Sequence, residues 1–252
     1  MDKLTFSTGW KWITQGWDIY RKRPFFLMIV LMGYGIVIGL LDLVPSIGRF
    51  LIILLTPVFT FLFIYTCYRI DTDQTVWFKE IFNGFNGRTF FRLLMLGACY
   101  ILFYLVVLAF VVAMDVNLAS VFRTGEGIEK LSDSQQNLIY WSLGFFMIVY
   151  VPFVMATWFA TPLIGFKDMS VGKALFYSFF GAARAFRSLL SYLFCWFMIG
   201  LFLVVMTGFF VTLFTTAGAI VVWIGSFIMS VWFYCSFYPA YKRVFGQPDG
   251  QP

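Results

Sequence analysis

Six apolar segments occupy most of this chain, and none has a charged residue in its interior: Phe25–Leu41, Phe50–Tyr68, Leu93–Met114, Leu138–Phe166, Leu189–Phe214 and Ala217–Tyr241. A spanning helix needs about 20 apolar residues, with about 17–25 tolerated, and each segment is long enough. Lipid offers no water to backbone N–H and C=O groups, so a spanning segment of this kind must bond to itself as a helix. The pattern predicts an all-α polytopic membrane protein: six transmembrane helices in three hairpins. Composition agrees. The chain is 61% hydrophobic and 12% charged, where soluble domains average about 25% charged. One integral membrane domain, residues 1–252, is expected. Its longest polar stretch, Asp115–Asn137, reads as a solvated loop with a turn of helix near Ile128–Leu131.

The basic residues give an orientation. Of the 18 lysines and arginines, 15 fall on one side: in the N-terminal segment, the 69–92 and 167–187 loops, and the tail. Only Arg49, Arg123 and Lys130 fall on the other. Positively charged loops stay in the cytoplasm, so both termini are expected there. The net charge of +6 then reflects loops facing anionic lipid and does not call for a nucleic-acid partner. The apolar run begins only at Phe25, with no small-residue cleavage site after it, so the first span is expected to be retained.

The chain offers little reactive chemistry. It contains no histidine, the commonest general base and metal ligand. Cys67, Cys99, Cys195 and Cys235 lie in or near the spans, too far apart in sequence for a C-x-x-C pair, and read as packing residues. Intramembrane charges normally mark proton relays and ion paths, and the spans have none. Asp71, Asp73, Glu80 and Asp168 are the interfacial carboxylates an enzyme could use; Asp71-x-Asp73 is read instead as a helix cap beside a positive helix end. No catalytic residue, metal site or cofactor is expected.

The segments between the spans say more. Phe6, Trp10, Ile13, Trp17 and Tyr20 fall at helical spacing, with Lys11, Asp18, Arg21 and Lys22 opposite. Aromatic residues on one face and basic ones on the other suit a helix lying in the headgroup plane. It should end at Arg23-Pro24, because proline disfavours helical geometry in the residue before it yet suits the first turn of the next helix. Similar stripes follow Asp73 (Trp77, Phe78, Ile81, Phe82, Phe85) and Ser170 (Ala174, Leu175, Phe179, Ala183, Phe186), each of those two residues a predicted N-cap. Each stripe leads into a pair of spans, and the second span of each pair holds a proline: Pro57, Pro162 and Pro239. The chain thus reads as three weak repeats, 1–70, 71–168 and 169–246, each a cytoplasmic interfacial helix followed by a hairpin.

The opening Gly9-Trp-Lys-Trp-Ile-Thr-Gln-Gly-Trp17, followed by Arg21-x-x-Pro24, resembles that of a family of proteobacterial six-span inner-membrane proteins similar in layout to the YciC-like family. Val76–Phe85 and Trp158–Asp168, the latter running into Ala174–Ser178, look like its other shared segments. The resemblance implies six spans in a bacterial inner membrane. It implies no activity and gives no site residues to carry over.

The expected function is that of a non-enzymatic, lipid-associated or accessory factor. Small residues such as Gly218, Gly225 and Ser226 would let helices approach closely. The alternative is a transporter or scramblase of hydrophobic or lipid-like substrate without ion coupling, since proline-interrupted spans can open a pathway. The surface helices form a basic, aromatic collar in this reading. Trp10, Trp17, Arg21, Lys22, Arg23, Trp77, Arg88, Arg184 and Arg187 are its candidate contacts to anionic headgroups or to a membrane partner, a second copy of the chain included.

Overall fold

The computed structural model describes residues 6–45, 47–82, 85–113 and 133–247. Every element among them is an α-helix. In chain order these are α1 (Phe6–Lys22), α2 (Pro24–Asp42), α3 (Ile47–Asp71), α4 (Phe78–Phe82), α5 (Gly87–Ala113), α6 (Asp133–Trp158), α7 (Ala160–Lys167), α8 (Val171–Arg184) and α9 (Phe186–Phe245). They supply six stretches long and apolar enough to cross a membrane, as the charge-free segments predict. Most of the Asp115–Asn137 loop, with its expected turn at Ile128–Leu131, lies outside the described residues; its last residues, from Asp133, already belong to α6.

The helix ends follow from their local chemistry. Pro24 is the first residue of α2, where its missing N–H is no loss. At the end of α3, Asp73 takes a left-handed conformation (φ 54°). The Gln74 N–H then bonds the Arg69 carbonyl and the Asp73 N–H that of Ile70, which together form a Schellman stop. Asp73 therefore ends the first hairpin and does not cap the second surface helix. That helix is the single turn α4, started by Glu80, whose carboxylate reaches back to the Trp77 N–H (3.2 Å). Asn86 caps α5 by accepting from the Thr89 N–H (2.7 Å). Ser170, extended as an N-cap should be, makes no side-chain capping bond.

Leu138–Phe166, read as one segment, is two helices. They break at Phe159, where the Ser178 hydroxyl from α8 enters the backbone ladder: it accepts from the Phe159 N–H (2.8 Å) and donates to the Met155 carbonyl (2.9 Å). Pro162 sits in the first turn of α7. An inserted side chain beside a proline is an identifiable cause of a sharp kink.

The chain doubles back within α9. Tyr192 and Ser236 share a hydrogen bond (2.8 Å), and the Trp196 and Trp232 rings are 5.2 Å apart. Both pairs centre on position 214, at the short gap between the apolar segments Leu189–Phe214 and Ala217–Tyr241. A leading and a returning leg therefore run antiparallel as the third hairpin.

Half of the α3 apolar stretch is buried inside the protein, against 6–22% for the other five. It is the hub, and the other five are largely exposed. The buried core, including Phe61, Ile64, Leu93, Phe159, Leu163, Tyr192, Tyr238 and Tyr241, gathers toward the end where the basic loops lie. Away from that end, α5, α6 and both legs of α9 expose long apolar runs such as Leu102, Ile148, Phe202 and Trp223.

Candidate membrane-surface contact site

The three hairpins end alike. Each returning helix finishes with an aromatic residue followed by a cation: Tyr68-Arg69, Phe166-Lys167 and Tyr241-Lys242. The rings meet, with Phe166 5.4 Å from Tyr68 and 5.6 Å from Tyr241 between centroids. Edge-to-face and stacked ring pairs of this kind add about 0.5–1.5 kcal/mol each beyond area burial. The cations that follow are each held. Arg69 donates to the Thr75 carbonyl (2.7 Å) and Glu80 (3.2 Å), Lys167 to the Phe245 carbonyl (2.9 Å), and Lys242 to Asp71 (2.7 Å).

More ion pairs surround this cluster. Lys22 binds Asp73 (2.9 Å), and Arg92 and Arg88 share Asp168, the latter at 3.8 Å. Arg21 pairs with Asp18 one turn earlier on α1. The four interfacial carboxylates singled out in the sequence are thus all committed to cations, and Asp71 and Asp73 serve different helices. A polar hollow of about 390 Å³ lies among Gln15, Lys22, Asp71, Tyr238, Lys242 and Arg243. Among the described residues no three of Cys, Asp and Glu gather as metal ligands would. Cys67 and Cys235 do come together, their sulfurs 3.8 Å apart in the core, which their spacing in sequence could not show.

Helix α1 straps this end together. Gly9 packs on Ser188, Ser191 and Tyr192 of the leading leg, and Gly16 on Ser236 of the returning leg. The Trp232 indole N–H bonds the Ile13 carbonyl (2.8 Å), and Lys22 reaches the end of α3. The buried face runs through Thr8, Trp12, Ile13, Ile19 and Tyr20. That face is turned about a quarter-turn from the predicted stripe. The small residues decide the rotation: only a glycine face lets the α1 backbone lie against the α9 hairpin. Burial pushes the Tyr20 phenol above its ordinary pKa, with Cys235 adding to the shift.

The proposed contact residues sort accordingly. Trp10 is half exposed, while Trp17 is partly buried between Tyr20 and Trp232. Trp77 stands 70% exposed. Arg21, Lys22 and Arg23 are exposed at the α1–α2 bend, Arg88 at the start of α5, and Arg184 and Arg187 astride the α8–α9 junction. Arg21, Lys22 and Arg88 carry ion pairs as well. On α8 the buried face is Ala174, Ser178 and Ala182, so Phe179 is only partly covered and Ala183 is exposed. Gly225 has open space at its β-position, and close helix approaches occur at Gly9, Gly16, Gly48 and Gly97.

The chain is 28% identical over 258 aligned positions to a protein of Burkholderia thailandensis described as a probable inner membrane protein, covering 99% of this chain and 96% of the relative. No family model matches the chain, and no solved structure matches it. Its six apolar helices make it a multi-pass membrane protein.

Proposed function

We propose that this chain is a non-enzymatic protein of the bacterial inner membrane, akin in layout to the YciC-like family, that organises the lipid around it or assists another membrane assembly. The similarity to an inner membrane protein supports the location. One observation carries the rest. At the basic end the described carboxylates Asp18, Asp71, Asp73, Glu80 and Asp168 are all neutralised by partners. Lys11, Arg23, Lys79, Lys173 and Arg187 remain exposed there, without ion pairs among the described residues. An excess of surface cations beside exposed Trp10 and Trp77 suits an anionic leaflet, where each basic residue contributes about 1 kcal/mol, screened by salt. Six spans already anchor the protein, so this collar would set helix tilt and select neighbouring lipids. In this reading the basic end is cytoplasmic, and its partners are anionic headgroups, with a membrane protein or a second copy as the alternative.

The test is native-lipid nanodisc purification with mass spectrometry of co-purifying lipid. Changing Arg21, Lys22 and Arg23 together to Gln, and separately Arg184 and Arg187, should at least halve bound anionic lipid while the protein stays folded. Unchanged anionic lipid in both variants would refute the collar. The break at Phe159 supports a second reading, passage of a hydrophobic or lipid-like substrate without ion coupling; fluorescent-lipid flipping in reconstituted vesicles tests it.

A further inference from the structure

Helix α2 is loosely held: only Leu27 and Leu31 on it are buried. Gly33 carries no side chain where α2 faces α3, and a β-carbon there would meet nothing within 4 Å. The result is a cleft of about 260 Å³ that runs along α2 from Ile29 to Val37, walled by Phe59 and Phe63 of α3 and closed by Ile81 and Tyr234. Its lining is almost wholly apolar. About two helical turns away along α2 and α3 lies a second hollow, of about 350 Å³, lined by Lys22, Arg23, Asp73 and Gln74. The Phe26 and Phe78 rings, 5.2 Å apart, lie at the boundary between the two.

We propose that this pair of hollows binds one anionic phospholipid, with an acyl chain in the cleft and the headgroup against Arg23. The depths fit. At about 1.5 Å per residue, Ile29 and Val37 lie about 9 and 21 Å beyond Arg23 along α2. Within a hydrocarbon core about 30 Å thick, that is the acyl region of the leaflet whose headgroups Arg23 meets. The charge fits as well. Lys22 is neutralised by Asp73, whereas Arg23 is exposed with no ion pair among the described residues, so the polar hollow carries one cation in excess. A zwitterionic headgroup would leave that cation unbalanced, and a phosphate ester with net negative charge would not. The inference rests on reading the basic end as the lipid-contacting face, and gives that face one defined site.

The test uses the full chain in nanodiscs of phosphatidylglycerol and phosphatidylethanolamine, with a photoactivatable acyl chain on either lipid and mass-spectrometric mapping of the cross-links. Wild type should label at the cleft-lining Ile29, Val30, Tyr34, Val37, Phe59 and Phe63, with phosphatidylglycerol several-fold over phosphatidylethanolamine. Gly33→Phe fills open space and should cut that labelling at least five-fold; Val37→Phe serves if the first variant fails to fold. Arg23→Gln should bring the ratio of the two lipids near one and keep the cleft labelled. Labelling no stronger there than at Met32 and Ile36, which are exposed but outside the cleft, overturns the site, as does labelling that survives filling. Equal capture of both lipids by wild type overturns the headgroup assignment. An empty cleft alongside a charge-dependent bulk enrichment of anionic lipid sinks this site and leaves the collar standing. Arg23-dependent labelling without bulk enrichment does the reverse.

Discussion

A hydroxyl inside a helix ladder has few ways to be replaced. Ser178 is fully buried and serves both sides of the α6–α7 break, taking the Phe159 N–H and giving its own proton to the Met155 carbonyl. The break removes the bond those two backbone groups would make to each other in a continuous helix. Ser178→Ala should leave both unsatisfied. A buried polar group without a partner costs about 1–3 kcal/mol, so a loss of about 2 kcal/mol or more is expected, read as a fall in thermal midpoint in detergent or nanodisc. A midpoint within error of wild type would mean that the helix has closed over the gap, and the break would then be no fixed feature of the fold. Asp73 and Asp168 show the same economy at a residue. Both sit at positive φ where a helix ends, a conformation aspartate tolerates, and both turn a carboxylate toward cations from other segments.

Helix contacts here are governed by small residues more than by aromatic stripes. A β-carbon on Gly16 would lie 2.5 Å from the Ser236 Cα, a backbone atom that cannot step aside alone. Gly16→Val should therefore release α1 from the α9 hairpin and cost about 1–3 kcal/mol or more, whereas Gly35→Ala, made in open space on α2, should be near neutral. Protease sensitivity of the α1–α2 bend measures the difference, and equal resistance in the two variants would remove the strap. The α3–α9 contact has its own probe. Mild oxidation should join Cys67 to Cys235, whose sulfurs need to close from 3.8 Å to about 2.05 Å, and Cys99 and Cys195 should stay unlinked. The spans were legible because charge-free runs of spanning length admit one backbone solution, and because Pro24 marks its own bend; the break at Phe159 was not, since it depends on Ser178 reaching in from α8. The buried face of α1 was not, since Phe6, Trp10 and Trp17 outweigh Gly9 and Gly16 on any apolarity count although the glycines decide the packing. The three aromatic–cation pairs at the ends of the returning spans stand in the sequence, but the meeting of Tyr68, Phe166 and Tyr241 does not. Nothing local brings together residues so far apart in sequence, and the prolines, at different distances from these ends, do not point to them either.

At the scale of the whole molecule, packing and charge are polarised the same way. The buried core, the ion pairs and α1 all gather at the basic end, while the opposite halves of the spans separate and present apolar faces outward. Such a protein is held together at one face and relies on lipid to fill in around the other. Polarity of this kind gives orientation a physical basis beyond loop counting. The charged end cannot cross the hydrocarbon core, since central Asp, Lys and Arg each cost about 2.5–3.5 kcal/mol on insertion scales. With 15 of 18 basic residues on that side, no single loop should determine the outcome. A reporter fused after Pro252 is expected to be active in the cytoplasm, and one inserted within Arg123–Lys130 on the opposite side. Replacing Arg21, Lys22 and Arg23 with Gln still leaves about four basic residues there for each one opposite, so the fusion pattern should persist while lipid selection changes. Periplasmic activity of the Pro252 fusion in the wild type would invert the topology and place the aromatic cluster and its ion pairs at the outer leaflet. A flip only in the triple variant would show instead that the first loop commands insertion and that the rest of the basic end follows it.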